Sequence, residues 1–216
     1  MFDSVQNLFT AQGHALQLPL VHVVYSISPF VFEQNPQIPS QLGNAIAVNL
    51  PSVHIYQEKS DVLDEDGVAR MQAVLTHRFS QWELFFTPAQ VRQVVEHTGG
   101  DLRDFLRALR AALLSRKDYE QARVDDEALA AAFNQLRPTM SIPSEHISWM
   151  QALQTSHTAE LAGKEITPKL LDRYLTTKHI LAYINGNTWY SVHPLIRAAV
   201  AERAQAIAVR SASEKA

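Results

Sequence analysis

The period of the hydrophobic pattern changes near residue 63. Before that point, a short helix is predicted over residues 2–11. Residues 20–27 then form a β-branched and aromatic run that is typical of a strand buried on both faces, and residues 53–56 offer a second strand. Beyond residue 63, apolar residues recur with the period of amphipathic helices. Because two strands do not form an independently stable sheet, the sequence predicts a mainly α chain with a small, incomplete α/β remnant.

Capping signals indicate a helical bundle after this remnant. Thr87 and Gln90 make a capping box around a proline at the first helical position, which predicts a helix start. The diglycine at 99–100 ends that helix, and Asp101 caps the next one. Helical patterns on either side complete the bundle, which we assign to residues 63–140.

A different pattern follows the bundle. Two strand-like runs, residues 179–184 and 188–192, are joined by an Asn-Gly pair at 185–186, which is favoured in tight hairpin turns. Helical patterns precede and follow this hairpin. A helix, a hairpin and a closing helix are the order of a winged-helix domain. We place this domain at residues 141–216 and the incomplete α/β subdomain at 1–62.

Charge and composition restrict the partners. The chain has no cysteine and 46% hydrophobic residues, so it can bury a core without disulfides. No segment is apolar over the roughly 20 residues that span a bilayer, and we expect a cytoplasmic protein without a membrane partner. None of the nine histidines has ligand spacing, so no metal site is expected. The net charge is −3, although residues 164–210 carry seven basic and three acidic side chains.

The most informative string runs from residue 99 to residue 107 and reads Gly-Gly-Asp-Leu-Arg-Asp-Phe-Leu-Arg. It resembles the sensor-2 segment of AAA+ ATPases, in which a Gly-Asp-x-Arg sequence begins a helix of the lid. The resemblance implies that Arg103 reaches toward the γ-phosphate of ATP on the preceding α/β domain. A helix start suits that role, because its free N–H groups attract anions. Alternatively, Arg103, Arg107 and Arg110 form the solvated stripe of an amphipathic helix and pair with Asp101 and Asp104.

A second part of this resemblance lies at residues 20–27. In AAA+ proteins a strand of this kind ends in a polar sensor-1 residue that positions the attacking water, which implies Ser26 or Ser28 here. Serines at strand ends are also common turn residues, so a structural role stays open. The family usually places an arginine finger in the next loop, yet residues 38–50 contain no arginine. Self-activation in a ring is therefore not expected.

The phosphate-binding loop of such ATPases is missing from the sequence. It contains no Gly-x-x-x-x-Gly-Lys-Ser/Thr string and no apolar run that ends in an acidic pair. Without the lysine, the backbone cradle and the Mg²⁺ ligand, phosphoryl transfer loses nearly all its electrostatic stabilisation. We therefore expect no catalysis by this chain alone. ATP and Mg²⁺ are expected only together with a P-loop-containing upstream domain or subunit, and a homo-oligomer stays open.

The third resemblance is at the C-terminal end. The Trp-Tyr-x-x-His-Pro-Leu string at residues 189–195 looks like the end of bacterial ATP-binding proteins that carry a C-terminal winged helix. Lys169, Arg173 and Lys178 offer a modest basic surface for a partner, and we do not favour nucleic acid because the basic excess is small. We interpret the chain as the sensing and interaction half of an AAA+-type ATPase. Two alternatives stay open: a stand-alone winged-helix DNA-binding regulator, and a protein-interaction adaptor.

Overall fold

The computed structural model describes residues 2–18, 20–27, 32, 35–48, 51–117, 123–137, 140–159 and 167–213. In chain order, its elements are α1 (Phe2–Ala11), α2 (Ile38–Gln41), α3 (Glu65–Arg78), α4 (Pro88–Thr98), α5 (Leu102–Leu114), α6 (Asp126–Leu136), α7 (Ile147–Ser156), α8 (Pro168–Thr176), β1 (Ile180–Asn185), β2 (Asn187–Val192) and α9 (Pro194–Ser213). The predicted mainly helical class is confirmed. None of the helices in these ranges is long and apolar enough to cross a bilayer.

The chain divides into two compact units. The first combines Met1–Leu50 with Glu165–Thr176, and the second combines Pro51–Lys164 with Thr177–Ala216. The first unit has a small core in which Phe9 of α1 and Ile38 of α2 are buried. The ring of Tyr25 meets Phe9 edge-on, with 5.8 Å between the ring centroids. The core is completed by partly buried Leu16, Ile27 and Leu42.

The strand predicted over residues 20–27 is wrong. Residues 21–27 belong to no strand, and the side chains of Leu20 and Val24 are almost fully exposed. A strand forms only when a neighbour pairs with its N–H and C=O groups, and the described part of the chain pairs no strand with this run. The described residues of the predicted α/β remnant therefore form no sheet.

The second predicted strand, at residues 53–56, is also wrong as a sheet strand, and it lies in the second unit. The N–H of Val53 donates to the carbonyl oxygen of Gly100 at 3.2 Å. One isolated antiparallel bridge joins Tyr56 to Leu63. The segment is therefore tied to the turn before α5 and to the approach to α3, and not to a neighbouring strand.

Capping in the second unit follows the predictions. The hydroxyl of Thr87 accepts from the N–H of Gln90 at 3.2 Å, and the side-chain oxygen of Gln90 accepts from the N–H of Thr87 at 3.0 Å. Gly99 ends α4 in the left-handed conformation, and Asp101 caps α5. Each signal acts on its own helix end, which is why the sequence predicts these boundaries well.

The predicted hairpin is confirmed. β1 and β2 pair antiparallel along their whole length, and Gly186 lies at the tip with a φ of 108°. The side chains of Tyr183 and Trp189 are fully buried. The elements α8, β1, β2 and α9 follow the predicted order, with α8 in the first unit and the hairpin in the second. The winged-helix arrangement stays a prediction.

The core of the second unit joins the predicted lid helices to the hairpin and to α9. α5 packs along α6, α4 contacts α9, and α7 packs on both α9 and β2. Large side chains that are fully buried come from most of these elements: Met71, Phe86, Phe105, Leu129, Ile147, Met150, Tyr183 and Trp189. Residues assigned from the sequence to a lid and to a C-terminal domain therefore contribute to one core.

Replacing Gly67 of α3 with alanine tests the packing of the 53–56 segment on this helix. A Gly→Ala change inside a helix normally stabilises by ~0.5–1 kcal/mol. Here the added Cβ would overlap the carbonyl oxygen of His54. We therefore expect a loss of about 1–3 kcal/mol in urea unfolding. Arg70→Ala, at an exposed position of the same helix, is the control, and a gain of stability in Gly67→Ala would contradict the packing.

Candidate functional site

The turn between α4 and α5 carries the sensor-2-like string, and its packing explains both glycines. Gly99 and Gly100 have φ of 62° and 75°, in the left-handed region that favours glycine. A Cβ at Gly99 would press on Pro194 and Tyr183, and one at Gly100 would overlap the carbonyl oxygen of Val53. The hydroxyl of Tyr183 also donates to the carbonyl oxygen of Gly99 at 2.6 Å. The packing of this turn therefore explains why both positions are glycine, without any ligand.

Asp101 connects the start of α5 to the residues before β1. Its Oδ1 accepts a hydrogen bond from the N–H of Asp104 at 3.0 Å, which is the predicted N-cap. Its Oδ2 lies 3.2 Å from Nζ of Lys178. Asp101 is buried, and the side chain of Lys178 is 35% exposed. Lys178, predicted as a partner or nucleic-acid contact, is thus engaged inside its own unit.

Asp104, the second carboxylate of the string, is buried in the first turn of α5. Its Oδ1 accepts a hydrogen bond from Nη1 of Arg107 at 2.9 Å, and its Oδ2 lies 3.6 Å from Nε2 of His193. Burial raises the pKa of Asp104, and the charge of Asp101 raises it further, while Arg107 and Arg103 lower it. The ionised form of Asp104 therefore depends on the cations and donors around it.

His193, the residue before α9, presents its imidazole to Asp104. It is fully buried, and its Nδ1 accepts a hydrogen bond from the N–H of Leu195 at 3.3 Å. This bond assigns the ring proton to Nε2, which has no hydrogen-bond partner among the described residues. Burial lowers the pKa of His193 to about 3. The neutral ring thus points an N–H donor at Asp104 from slightly beyond hydrogen-bond distance.

Arg103 is the charged member of the string that pairs directly with no described residue, although its charge lowers the pKa of Asp104. Its side chain is exposed on the first turn of α5 and forms no hydrogen bond or ion pair with the described residues. Arg107 and Arg110 follow at i+4 and i+7, so the predicted solvated stripe is present. An exposed guanidinium at a helix start is well placed to bind an anion, because it can fork onto two oxygens.

The other predicted site residues are divided between the two units. Ser26 is exposed in the first unit and belongs to no strand, and Ser28 lies outside the described residues. Lys169 and Arg173 are exposed on α8, in the first unit, whereas Lys178 is in the second. The roles assigned to these residues stay predictions.

Two further arginines of the basic C-terminal region are engaged within the second unit. Nε of Arg197 donates to the carbonyl oxygen of Val192 at 2.9 Å, and its Nη1 pairs with Asp61 at 3.0 Å. Nη1 of Arg203 donates to the carbonyl oxygen of Ile142 at 2.9 Å. Part of the excess of basic side chains in this region therefore contacts groups of the same unit. Fewer cations are left to neutralise the phosphate backbone of a nucleic acid.

Neither a metal centre nor a known relative identifies the site. Within the described ranges, no group of three His, Cys, Asp or Glu side chains is placed to hold a metal ion. Comparisons with protein-family models, with curated protein sequences and with solved structures give no match. The interpretation of the site therefore depends on its geometry.

The pair of Arg107 with Asp104 was predicted as part of the solvated stripe, but the contact of Asp104 with His193 was not. Asp104 and His193 are far apart in the chain, and the periodicity within a helix carries no information about which distant element packs on it. One signal was present, because Asp104 shares the buried face of α5 with Phe105 and Ala108. A carboxylate on an apolar face indicates a buried partner.

Acid titration of stability tests the neutral state of buried His193. Folding lowers its pKa from 6.5 to about 3. Between these values the unfolded chain holds one more proton than the folded chain, so the free energy of unfolding falls on acidification. The contribution is about 1.4 kcal/mol per pH unit. In urea unfolding, we expect the free energy of unfolding of His193→Gln to depend less steeply on pH over this range than that of the wild type. His77→Gln, at an exposed position of α3, is the control, and equal slopes for wild type and His193→Gln would exclude this state.

Proposed function

We propose that this chain is the sensing and interaction half of an AAA+-type ATPase, in which Arg103 reads the terminal phosphate of ATP. The nucleotide and its Mg²⁺ are held by a P-loop-containing upstream domain or subunit, and this chain catalyses no hydrolysis alone. One observation carries the proposal. Arg103 is exposed and forms no hydrogen bond or ion pair with the described residues, in a string whose glycines and carboxylates all have internal contacts.

The setting of Arg103 suits a phosphate reader. The first turn of a helix presents free N–H groups and the positive end of the helix dipole. The turn beneath Arg103 is held by the bond from Tyr183 to Gly99 and by the pair of Asp101 with Lys178. Because this turn is held in place, less conformational entropy is lost when Arg103 binds a phosphate. Hydrolysis removes the γ-phosphate and therefore the partner of Arg103, so the lid responds to the state of the nucleotide.

The exposed run at residues 20–27 supports the requirement for an α/β partner. Val21 is 59% exposed and Val24 is 96% exposed. A run that is apolar on both faces is stable when strands pair with its edges and helices cover its faces. In the proposal, the upstream portion covers this exposed run. Ser26 and Ser28 stay sensor-1 candidates by the resemblance alone, because residues 21–27 form no strand.

The C-terminal elements are the proposed partner-binding module. α8, β1, β2 and α9 are taken as a winged helix because their order matches one. A protein partner is favoured over DNA, since Lys178, Arg197 and Arg203 all have contacts within the second unit. A cytoplasmic location and a homo-oligomer remain part of the hypothesis.

The alternative functions differ from this proposal in how they depend on ATP. A stand-alone winged-helix regulator binds DNA with an affinity that falls steeply with salt, and it needs no nucleotide. An adaptor binds its partner through an exposed surface such as residues 20–27, again without nucleotide. A dependence of ATP turnover on Arg103 therefore separates the proposal from both alternatives.

Replacing Arg103 with alanine is the direct test. The chain is co-purified with the polypeptide encoded immediately upstream, and the binding and hydrolysis of MgATP are measured. We expect Arg103→Ala to lower turnover about 10–100-fold, because a charge-assisted contact with the phosphate is lost. Arg110→Ala, on the same face of α5, is the control. Unchanged affinity and turnover in Arg103→Ala, or an upstream sequence without a P-loop, would refute the proposal.

A charge introduced at Val24 tests the role of the exposed run. Because Val24 is 96% exposed, Val24→Asp is expected to change the stability of the isolated chain by less than about 0.5 kcal/mol in urea unfolding. In co-purification it is expected to abolish capture of the P-loop polypeptide, since an aspartate cannot be buried between two apolar layers. Val62→Asp, at a 58% exposed position of the second unit, is the control. Capture that survives Val24→Asp would show that this run is not the contact.

A further inference from the structure

The carboxylate of Asp104 lies between the guanidinium of Arg107 and the imidazole of His193. It accepts a hydrogen bond from Arg107. Nη1 of Arg107 is at 2.9 Å, within hydrogen-bond distance, whereas Nε2 of His193 is at 3.6 Å. Both His193 and Asp104 are buried. A buried N–H donor without an acceptor is costly and rare in folded proteins. Nε2 of His193 is therefore oriented toward Asp104 but lies slightly too far away to donate a hydrogen bond to it.

Arg107, which now holds Asp104, also faces solvent on the side of α5 that carries Arg103. The side chain of Arg107 is 50% exposed, compared with 3% for Asp104. Residues four apart on a helix have Cβ atoms roughly 5–6 Å apart. The guanidinium groups of Arg103 and Arg107 can therefore contact oxygens of one oligophosphate. The guanidinium of Arg107 can bind either that anion or the carboxylate of Asp104.

We propose that Arg107 is a second phosphate-reading arginine, and that His193 is a positioning residue that takes over Asp104 when Arg107 turns to the phosphate. The identity of the anion, the β- or γ-phosphate of ATP, rests on the proposed function. The exchange of partners at Asp104 is a property of this chain alone. It requires only a small movement of the imidazole, and no proton or electron is transferred.

The surroundings of His193 allow this exchange. The negative charges of Asp101 and Asp104 face the ring, and the positive charges of Lys178 and Arg197 oppose its protonation, as does His179. The ring therefore stays neutral and acts as an N–H donor. Without it, departure of Arg107 would leave a buried carboxylate unpaired, which is strongly unfavourable.

The start of α5 is also held against β1 and against the first residue of α9. Tyr183 donates to the carbonyl oxygen of Gly99, and a Cβ at Gly99 would press on Pro194. These contacts keep Asp104 and His193 facing each other while Arg107 moves. Phosphate binding at α5 therefore forms a hydrogen bond between Asp104 and His193, the residue before α9. This bond links the nucleotide site to the C-terminal elements.

Nuclear magnetic resonance of the His193 imidazole tests the exchange in the chain without nucleotide. Arg107→Ala removes the present partner of Asp104. We expect the Nε2–H proton of His193 to move downfield, and the pKa of His193 to rise by about 1–3 pH units, because the carboxylate then has the imidazole as its partner. Arg110→Ala is the control, and Arg107→Gln is a second variant if alanine impairs folding. An unchanged His193, with a rise in the pKa of Asp104 alone, would overturn the exchange.

Turnover of MgATP by the complex with the P-loop polypeptide tests the phosphate role. We expect Arg107→Ala to lower turnover about 10-fold or more. His193→Leu is expected to lower it as well, and His193→Gln, which keeps an N–H donor, to retain most of it. If Arg103→Ala lowers turnover and Arg107→Ala does not, the inference about Arg107 fails and the proposed function stands. If neither change lowers turnover, both fail.

Discussion

The close approach of the diglycine turn to its neighbours is the constraint on which the second unit depends. At Gly100 the backbone comes so near the carbonyl oxygen of Val53 that a methyl group would overlap it, and a methyl group at Gly99 would press on side chains of the hairpin. Tyr183 fastens the turn with a hydrogen bond to the carbonyl oxygen of Gly99, from inside the core. The start of α5 is thereby fixed to two other segments. The direction in which its exposed arginines point follows from this contact.

Buried polar groups then extend the connection along the first turn of α5. Asp101 pairs with Lys178, and Asp104 faces His193. Such groups stabilise a fold weakly, because desolvation offsets much of their attraction. Their effect is specificity, since Asp101 meets Lys178 and Asp104 meets His193 only when the helix, the hairpin and α9 pack in one register. The bundle and the C-terminal elements of the second unit are therefore matched to each other by polar contacts as well as by apolar packing.

The sequence predicts those features whose cause lies within a few residues. Thr87 with Gln90, and Asp101, cap the helices where expected, because a cap acts on its own first turn. Residues 20–27 show the limit. Their composition is that of a strand, but a strand also needs hydrogen-bond partners that composition cannot supply. The contact of Asp104 with His193 has the same limit, since it joins distant parts of the chain. The hypothesis for Arg103 came from a local string, and its role stays a prediction.

The exposed run at residues 20–27 has a consequence for contacts between copies of the chain. It combines β-branched and aromatic side chains, contains no proline and carries no formal charge when His22 is neutral. Segments of this kind stack into cross-β assemblies when they stay uncovered. The uncovered run is therefore a place where the edges of two copies of the chain can pair.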